Sequence, residues 1–153
     1  MALIDFILKA KLSGYASGGE GQEKKFDDDS VGFEILSGGY RYLDRYNGFN
    51  PFAGSEQIFG PKDSLLWVMN YFGEVLPSDS EPKKIYSFLK EAMLLISPEC
   101  PFRGPAKLEN QNFRYENQQY GSLDRFHGIE SIYENHKKVY VLYYHGGRIQ
   151  NDM

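Results

Sequence analysis

Phe52-Ala53-Gly54-Ser55-Glu56-Gln57-Ile58-Phe59 is echoed further along the chain by Phe126-His127-Gly128-Ile129-Glu130-Ser131-Ile132-Tyr133. Gly54 and Gly128 lie 74 positions apart, as do Glu56 and Glu130. Downstream, Trp67-Val68-Met69-Asn70-Tyr71-Phe72-Gly73 answers to Tyr140-Val141-Leu142-Tyr143-Tyr144-His145-Gly146 at an offset of 73. Upstream, Tyr40-Arg41-Tyr42 and Phe113-Arg114-Tyr115 keep that offset of 73. Phe6, Ala10 and Leu12 align with Phe88, Ala92 and Leu94 at 82, so loops of unequal length absorb the change. Alternating patterns make any two strand segments look alike, but matched glycines and a matched glutamate are not strand preferences. The chain reads as one domain over 1–153, with pseudo-repeats of about 1–76 and 77–149.

Each repeat opens on a helix. Leu3, Phe6, Ile7 and Ala10 recur at the helical period, with Asp5, Lys9 and Lys11 assigned to the other face. Ile85, Phe88, Leu89, Ala92, Leu95 and Ile96 do the same in the second, which Asp79 or Ser80 would cap, Pro82 would start and Pro98 would stop. Strands are expected over 31–36, 40–46, 56–59 and 64–72, then 113–118, 128–133 and 139–144, broken by Ser37-Gly38-Gly39 and Glu134-Asn135-His136-Lys137. The fold class expected is α+β: an internal duplication of a helix followed by three to four antiparallel strands, giving a curved antiparallel sheet with two helices on one face.

Strand alternation puts Leu66, Val68, Asn70 and Phe72 on one face and Leu65, Trp67, Met69 and Tyr71 on the other. Both are largely apolar, and two helices cover one of them. The second face is left for the other repeat, another subunit or a ligand. An apolar face carrying a few convergent polar groups is how small-molecule pockets are built. A second core layer or a homodimer interface would use the same residues.

Folding each hairpin about its turn sets Glu56 opposite Val68 and Glu130 opposite Val141, on the face of Asn70 and Tyr143. Two carboxylates brought together by a pseudo-twofold axis could share a proton, ligate a cation, or act as acid and base; structural glutamates bonding to loop backbone are the plainer reading. His127, Glu130 and His145 offer a two-histidine, one-carboxylate set, although the other half has Ala53 and Phe72 at the histidine positions and the spacing matches no ligand motif. Arg45 can bind a carboxylate or phosphate, or form a surface ion pair, and Arg41 and Arg45 point away from Tyr40, Tyr42, Asp44 and Tyr46. Gly18-Gly19-Glu20-Gly21 lacks the lysine and the preceding strand of a phosphate cradle. The candidate binding residues are therefore Glu56, Trp67, Asn70, Tyr71, Glu130, Tyr143, Tyr144, His145 and Arg45. No catalytic, metal or cofactor motif is complete.

Composition narrows the partners. A net charge of −4, with scattered Lys and Arg, argues against nucleic-acid binding through this chain alone. No apolar run is long enough to cross a membrane as a helix. The single Cys100 permits no internal disulfide and Glu99 beside it does not favour a thiolate, which fits a reducing cytoplasm. Twelve Tyr, 11 Phe and 1 Trp supply rings suited to half-wet clefts and interfaces, or simply to strands.

Tyr15-Ala16-Ser17-Gly18-Gly19-Glu20-Gly21, Tyr42-Leu43-Asp44-Arg45-Tyr46, Phe49-Asn50-Pro51-Phe52-Ala53-Gly54, Met69-Asn70-Tyr71-Phe72-Gly73, Phe102-Arg103-Gly104-Pro105 and Tyr143-Tyr144-His145-Gly146-Gly147 together resemble a small prokaryotic family, the domain of unknown function numbered 5680. The resemblance implies a cytoplasmic domain, similar to modules that sit behind helix-turn-helix domains in regulators, and hence ligand sensing. It brings no established activity or catalytic residues. The leading expectation is binding or sensing of a small molecule in an aromatic-lined cleft between the repeats. The alternatives are a small enzyme using Glu56/Glu130 or His127/Glu130/His145, and a structural homodimerisation module.

Overall fold

In the computed structural model the described residues are 1–16 and 23–152. The helix α1 (Leu3–Ala16) precedes strands β1 (Lys24–Lys25), β2 (Val31–Ser37), β3 (Tyr40–Gly48), β4 (Phe52–Phe59) and β5 (Leu65–Val75). The helix α2 (Pro82–Met93) then precedes β6 (Lys107–Asn110), β7 (Phe113–Ser122), β8 (Arg125–Glu134) and β9 (Lys137–Arg148). Among the described residues these strands make one antiparallel sheet in the order β1-β2-β3-β4-β5-β9-β8-β7-β6. The innermost strands β5 and β9 pair with each other, and Tyr71 stands opposite Tyr144. From that pair outward the order is alike on both sides.

This corrects the expected α+β class. Among the described residues a single nine-stranded sheet dominates, with two α-helices of 14 and 12 residues. Apolar alternation under-reports strands whose residues are polar: Lys107–Asn110 reads as loop, and β7 runs on through Asn117, Gln118 and Gln119 with no apolar period. The β5–β9 pairing also supplies backbone partners that let central strands extend past their apolar stretch.

The helical stripes behave as their spacing requires. Leu3, Phe6, Ile7 and Ala10 of α1 and Ile85, Phe88, Leu89 and Ala92 of α2 join Ile58, Trp67, Met69, Ile132 and Leu142 in one core. Three details differ. Lys11 is 1% exposed rather than turned outward, because it follows Ile7 by four residues and falls on the same stripe. The N-cap of α2 is Glu81, without a side-chain capping bond, and the helix ends at Met93, which leaves Leu95 exposed. The Gly18–Gly21 stretch lies outside the described residues.

Turns follow their chemistry. Gly38 and Gly39 take φ of 60° and 82°, and Asn135 and His136 take 48° and 71°, the left-handed pair that tight hairpins need. Near its turn each later hairpin keeps the turn-based register, with Phe59 opposite Leu65 and Tyr133 opposite Lys138. One step on, Ile58 faces Trp67 and Ile132 faces Tyr140, so Leu66 and Val139 are extra residues in equivalent bulges. Glu56 therefore faces Met69 and Glu130 faces Leu142, not Val68 and Val141. A one-residue shift moves a side chain to the other face. Both glutamates lie beneath the helices.

Candidate functional site

Two equivalent corners flank the β5–β9 seam. Tyr71 lies opposite Gly54 and Tyr144 opposite Gly128. A Cβ at Gly54 would come within 2.5 Å of the Tyr71 hydroxyl, and one at Gly128 within 2.1 Å of the Tyr144 ring. Each glycine thus leaves room for a tyrosine to lie across the neighbouring strand. The hydroxyls then reach one strand further: Tyr71 donates to Asp44 Oδ1 at 2.7 Å, and Tyr144 donates to Asn117 Oδ1 at 2.7 Å. Asp44 and Asn117 are themselves 73 positions apart.

Each matched glutamate has its own cation. Lys11 Nζ donates to Glu56 Oε2 at 2.9 Å and to the Phe102 carbonyl at 2.5 Å, while the Tyr42 hydroxyl donates to Glu56 Oε1. Arg103 grips Glu130 with Nε at 2.7 Å and Nη2 at 3.0 Å, and Tyr115 and Tyr140 each donate to it at 2.9 Å. Burial lowers the Lys11 pKa, against the pull of Glu56. Burial, and next to it the Glu130 charge, raises those of Tyr115 and Tyr140, so both stay donors. These clusters anchor the sheet to α1 and to the loop after α2.

The corners part company above their shared frame. In the second, Asn117 Nδ2 donates to the Gly104 carbonyl at 2.9 Å and its backbone N–H donates to Ala106, so the loop after α2 seals the polar group. In the first, Asp44 opens on a cavity of 260 Å³. Its floor is Asp44, Tyr71 and Arg103, and rings of Phe33, Tyr46, Phe52 and Tyr86 wall it with Leu89 and Met93 of α2. Glu23 and Lys90 also line it. Beyond Tyr46, Phe52 and Tyr86 it continues as a groove toward Gly48 and Phe49. Tyr86 donates to the Phe49 carbonyl at 2.5 Å, and burial pushes its hydroxyl up to about 12.

Asp44 is the electrostatic centre of this cleft. Burial, reinforced by the Glu56 carboxylate, raises it from 3.8 to about 7, despite the Tyr71 hydrogen bond and the nearby Lys11 and Arg103. A carboxyl poised there can hold or release a proton near neutrality.

Of the nine residues singled out in the sequence, Tyr71 lines this cleft. Glu56, Trp67, Glu130 and Tyr144 are buried on the same sheet face but belong to the core: Trp67 stacks on Phe126 at 5.5 Å and donates to the Leu123 carbonyl. Asn70, Tyr143, His145 and Arg45 sit at alternate strand positions, on the opposite face. There Arg45 pairs with Asp28 at 2.9 Å and lies over Phe26. His127 and His145 face each other across β8 and β9, exposed, with Tyr120 stacked on His127, whereas Glu130 is on the helix side. Among the described residues no group of three His, Cys, Asp or Glu could hold a metal. Burial raises the Cys100 thiol. No described helix is long and apolar enough to cross a membrane.

The sequence reading passed over Asp44, Arg103, Tyr46, Phe52 and Tyr86. A signal existed for Asp44: extending the Tyr42/Tyr115 match by two residues reaches Asp44/Asn117, a charge difference between otherwise matched halves. Arg103 stands in the motif Phe102-Arg103-Gly104-Pro105, but nothing local names its partner, and it arrives from the loop after α2.

Comparison with curated proteins and with solved structures finds no match. A family model does match, over residues 44–149. That span is most of the chain, and the protein therefore belongs to the family described as Domain of unknown function (DUF5680).

Proposed function

We propose that this domain binds a small molecule in the cleft between α1 and α2, above strands β2–β5. One observation carries the reading: Asp44, Tyr71 and Arg103 converge at the floor of a cavity whose walls are aromatic and aliphatic. A few placed polar groups in an apolar hollow supply orientation and affinity respectively. The 260 Å³ volume suits a compact metabolite rather than a dinucleotide. A cytoplasmic setting fits the single Cys100.

A metabolite library screened by thermal denaturation tests this. A ligand at a hundred times its Kd stabilises by about 2.7 kcal/mol. Such a hit should protect the wild type and lose its effect in Tyr46→Ala and Tyr86→Ala, which strip the walls without touching the core glutamates. Hits that protect those variants equally would place binding elsewhere.

A second reading, homodimerisation, draws on the opposite sheet face. Phe72 and Tyr143 stand opposite each other on β5 and β9 and are 48% and 56% exposed, with Ile129 at 36% beside them. A neighbouring apolar strip of this kind marks interaction surfaces. Sedimentation of the wild type and of Phe72→Lys tests it, a dimer lost in the variant being the supporting result.

A further inference from the structure

Among the described residues the buried polar cluster under the helices holds two cations, Lys11 and Arg103, and three carboxylates, Asp44, Glu56 and Glu130. Lys11 is taken by Glu56, and Arg103 by Glu130 through two hydrogen bonds. Asp44 is the carboxylate left over. It is 7% exposed and accepts from Tyr71 through Oδ1, and among the described residues no donor reaches Oδ2. The matched corner shows what a satisfied version looks like: Asn117 spends its second polar atom on the Gly104 carbonyl. At Asp44 no such second bond is made among the described residues, and the residue lines the cleft.

Building on the small-molecule reading above, we infer that the ligand carries a cationic nitrogen, an amine or amidinium on a flat apolar body, and that Asp44 Oδ2 is its counter-ion. A desolvated carboxylate lacking a cation gains most from one delivered with hydrogen bonds. The walls agree: Tyr46, Phe52 and Tyr86 supply aromatic rings, which attract cations and stack on planar groups. The charged and titratable groups around Asp44 are Glu56, Lys11, Arg103 and Tyr71 from below, and Glu23, Lys90, Tyr46 and Tyr86 around the cleft. Glu23 adds negative charge, and Lys90 is an exposed residue of α2.

In the free protein a proton takes the cation's place up to about pH 7. Binding of a cation displaces that proton, so affinity rises between pH 6 and pH 8.

The test uses four probes titrated into the full chain by NMR: benzamidine and phenethylamine as cations, benzamide as the neutral analogue and phenylacetate as the anion. At pH 8 the cations should bind at least tenfold more tightly than benzamide or phenylacetate. They should weaken about tenfold or more from pH 8 to pH 6, and Asp44→Asn should abolish both differences. That variant keeps a fold already accommodated at Asn117, with an amide oxygen for the tyrosine. Preference for benzamide or phenylacetate, or cation binding indifferent to Asp44→Asn, overturns the cationic ligand while the cleft stands. Binding of none of the four, with no library hit lost in Tyr46→Ala, overturns both.

Discussion

The corners built on Tyr71 and Tyr144 have the same glycine, the same tyrosine and the same reach, yet one is closed and the other opens on a cavity. In the second, the loop through Phe102, Arg103 and Gly104 lies down on Asn117, so that its amide N–H bonds to the Gly104 carbonyl while its oxygen accepts from Tyr144. In the first, Asp44 has one oxygen committed to Tyr71 and lines the cleft. Arg103 belongs to the sealing loop of the second corner and also to the floor of the first. Repetition supplies a rigid frame, and a single Asp-for-Asn difference within it converts a structural amide into a titratable group. A carboxylate would cost more in the sealed corner than in the open one.

The largest expected effects fall on what the corners share. Glu130→Ala would leave Arg103 buried without its partner and remove the acceptor of Tyr115 and Tyr140, a loss of about 3–5 kcal/mol by urea denaturation. Glu56→Ala, stranding Lys11, should cost somewhat less, since Lys11 also bonds to the Phe102 carbonyl and sheds its charge more readily than arginine. A Glu56 variant as stable as the wild type would break the equivalence of the two anchors.

Intermediate effects distinguish open from sealed. Tyr144→Phe strands the Asn117 oxygen beneath the loop and should cost roughly 1–3 kcal/mol. Tyr71→Phe should cost less than half of that, because Asp44 adjoins the cleft and its oxygen can be solvated there. Equal losses would mean that both corners are dry.

A further difference between the corners is a slope with pH. Asp44 has its folded pKa raised to about 7 from 3.8, so the folded state holds this proton more firmly than the unfolded chain. The stability it contributes is full below about pH 4 and is lost as pH rises toward and through 7. The slope in that window is at most about 1.4 kcal/mol per pH unit. The difference between wild type and Asp44→Asn, followed by urea denaturation from pH 4 to 8, should trace that loss and then level off. Asn117→Asp should add a second loss in the sealed corner that continues to higher pH.

Much of this fold is legible along the chain. The stripes Leu3-Phe6-Ile7-Ala10 and Ile85-Phe88-Leu89-Ala92 name two helices and their buried faces, because a 3.6-residue period leaves few other ways to bury those side chains. Gly38-Gly39 and Asn135-His136 mark their turns through the φ angles they tolerate. The matched Gly54 and Gly128 are visible as a repeat, and their purpose, clearance for Tyr71 and Tyr144, is local enough to follow from pairing. The nine candidates failed to form one site for a reason equally local. Glu56 and Glu130 change faces because of bulges at Leu66 and Val139, and no residue type announces a bulge.

By itself, then, the order of residues determined where helices and turns lie, which strands match and which positions differ between halves, since these depend on neighbours in sequence. Tertiary structure alone decided that the halves join through β5 and β9 into one sheet, that Lys11 and Arg103 go to Glu56 and Glu130, and that Asp44 is left facing a cleft. Which carboxylate lacks a cation among the described residues is a property of how charges from five segments are shared out. That sharing exists only once the chain has folded.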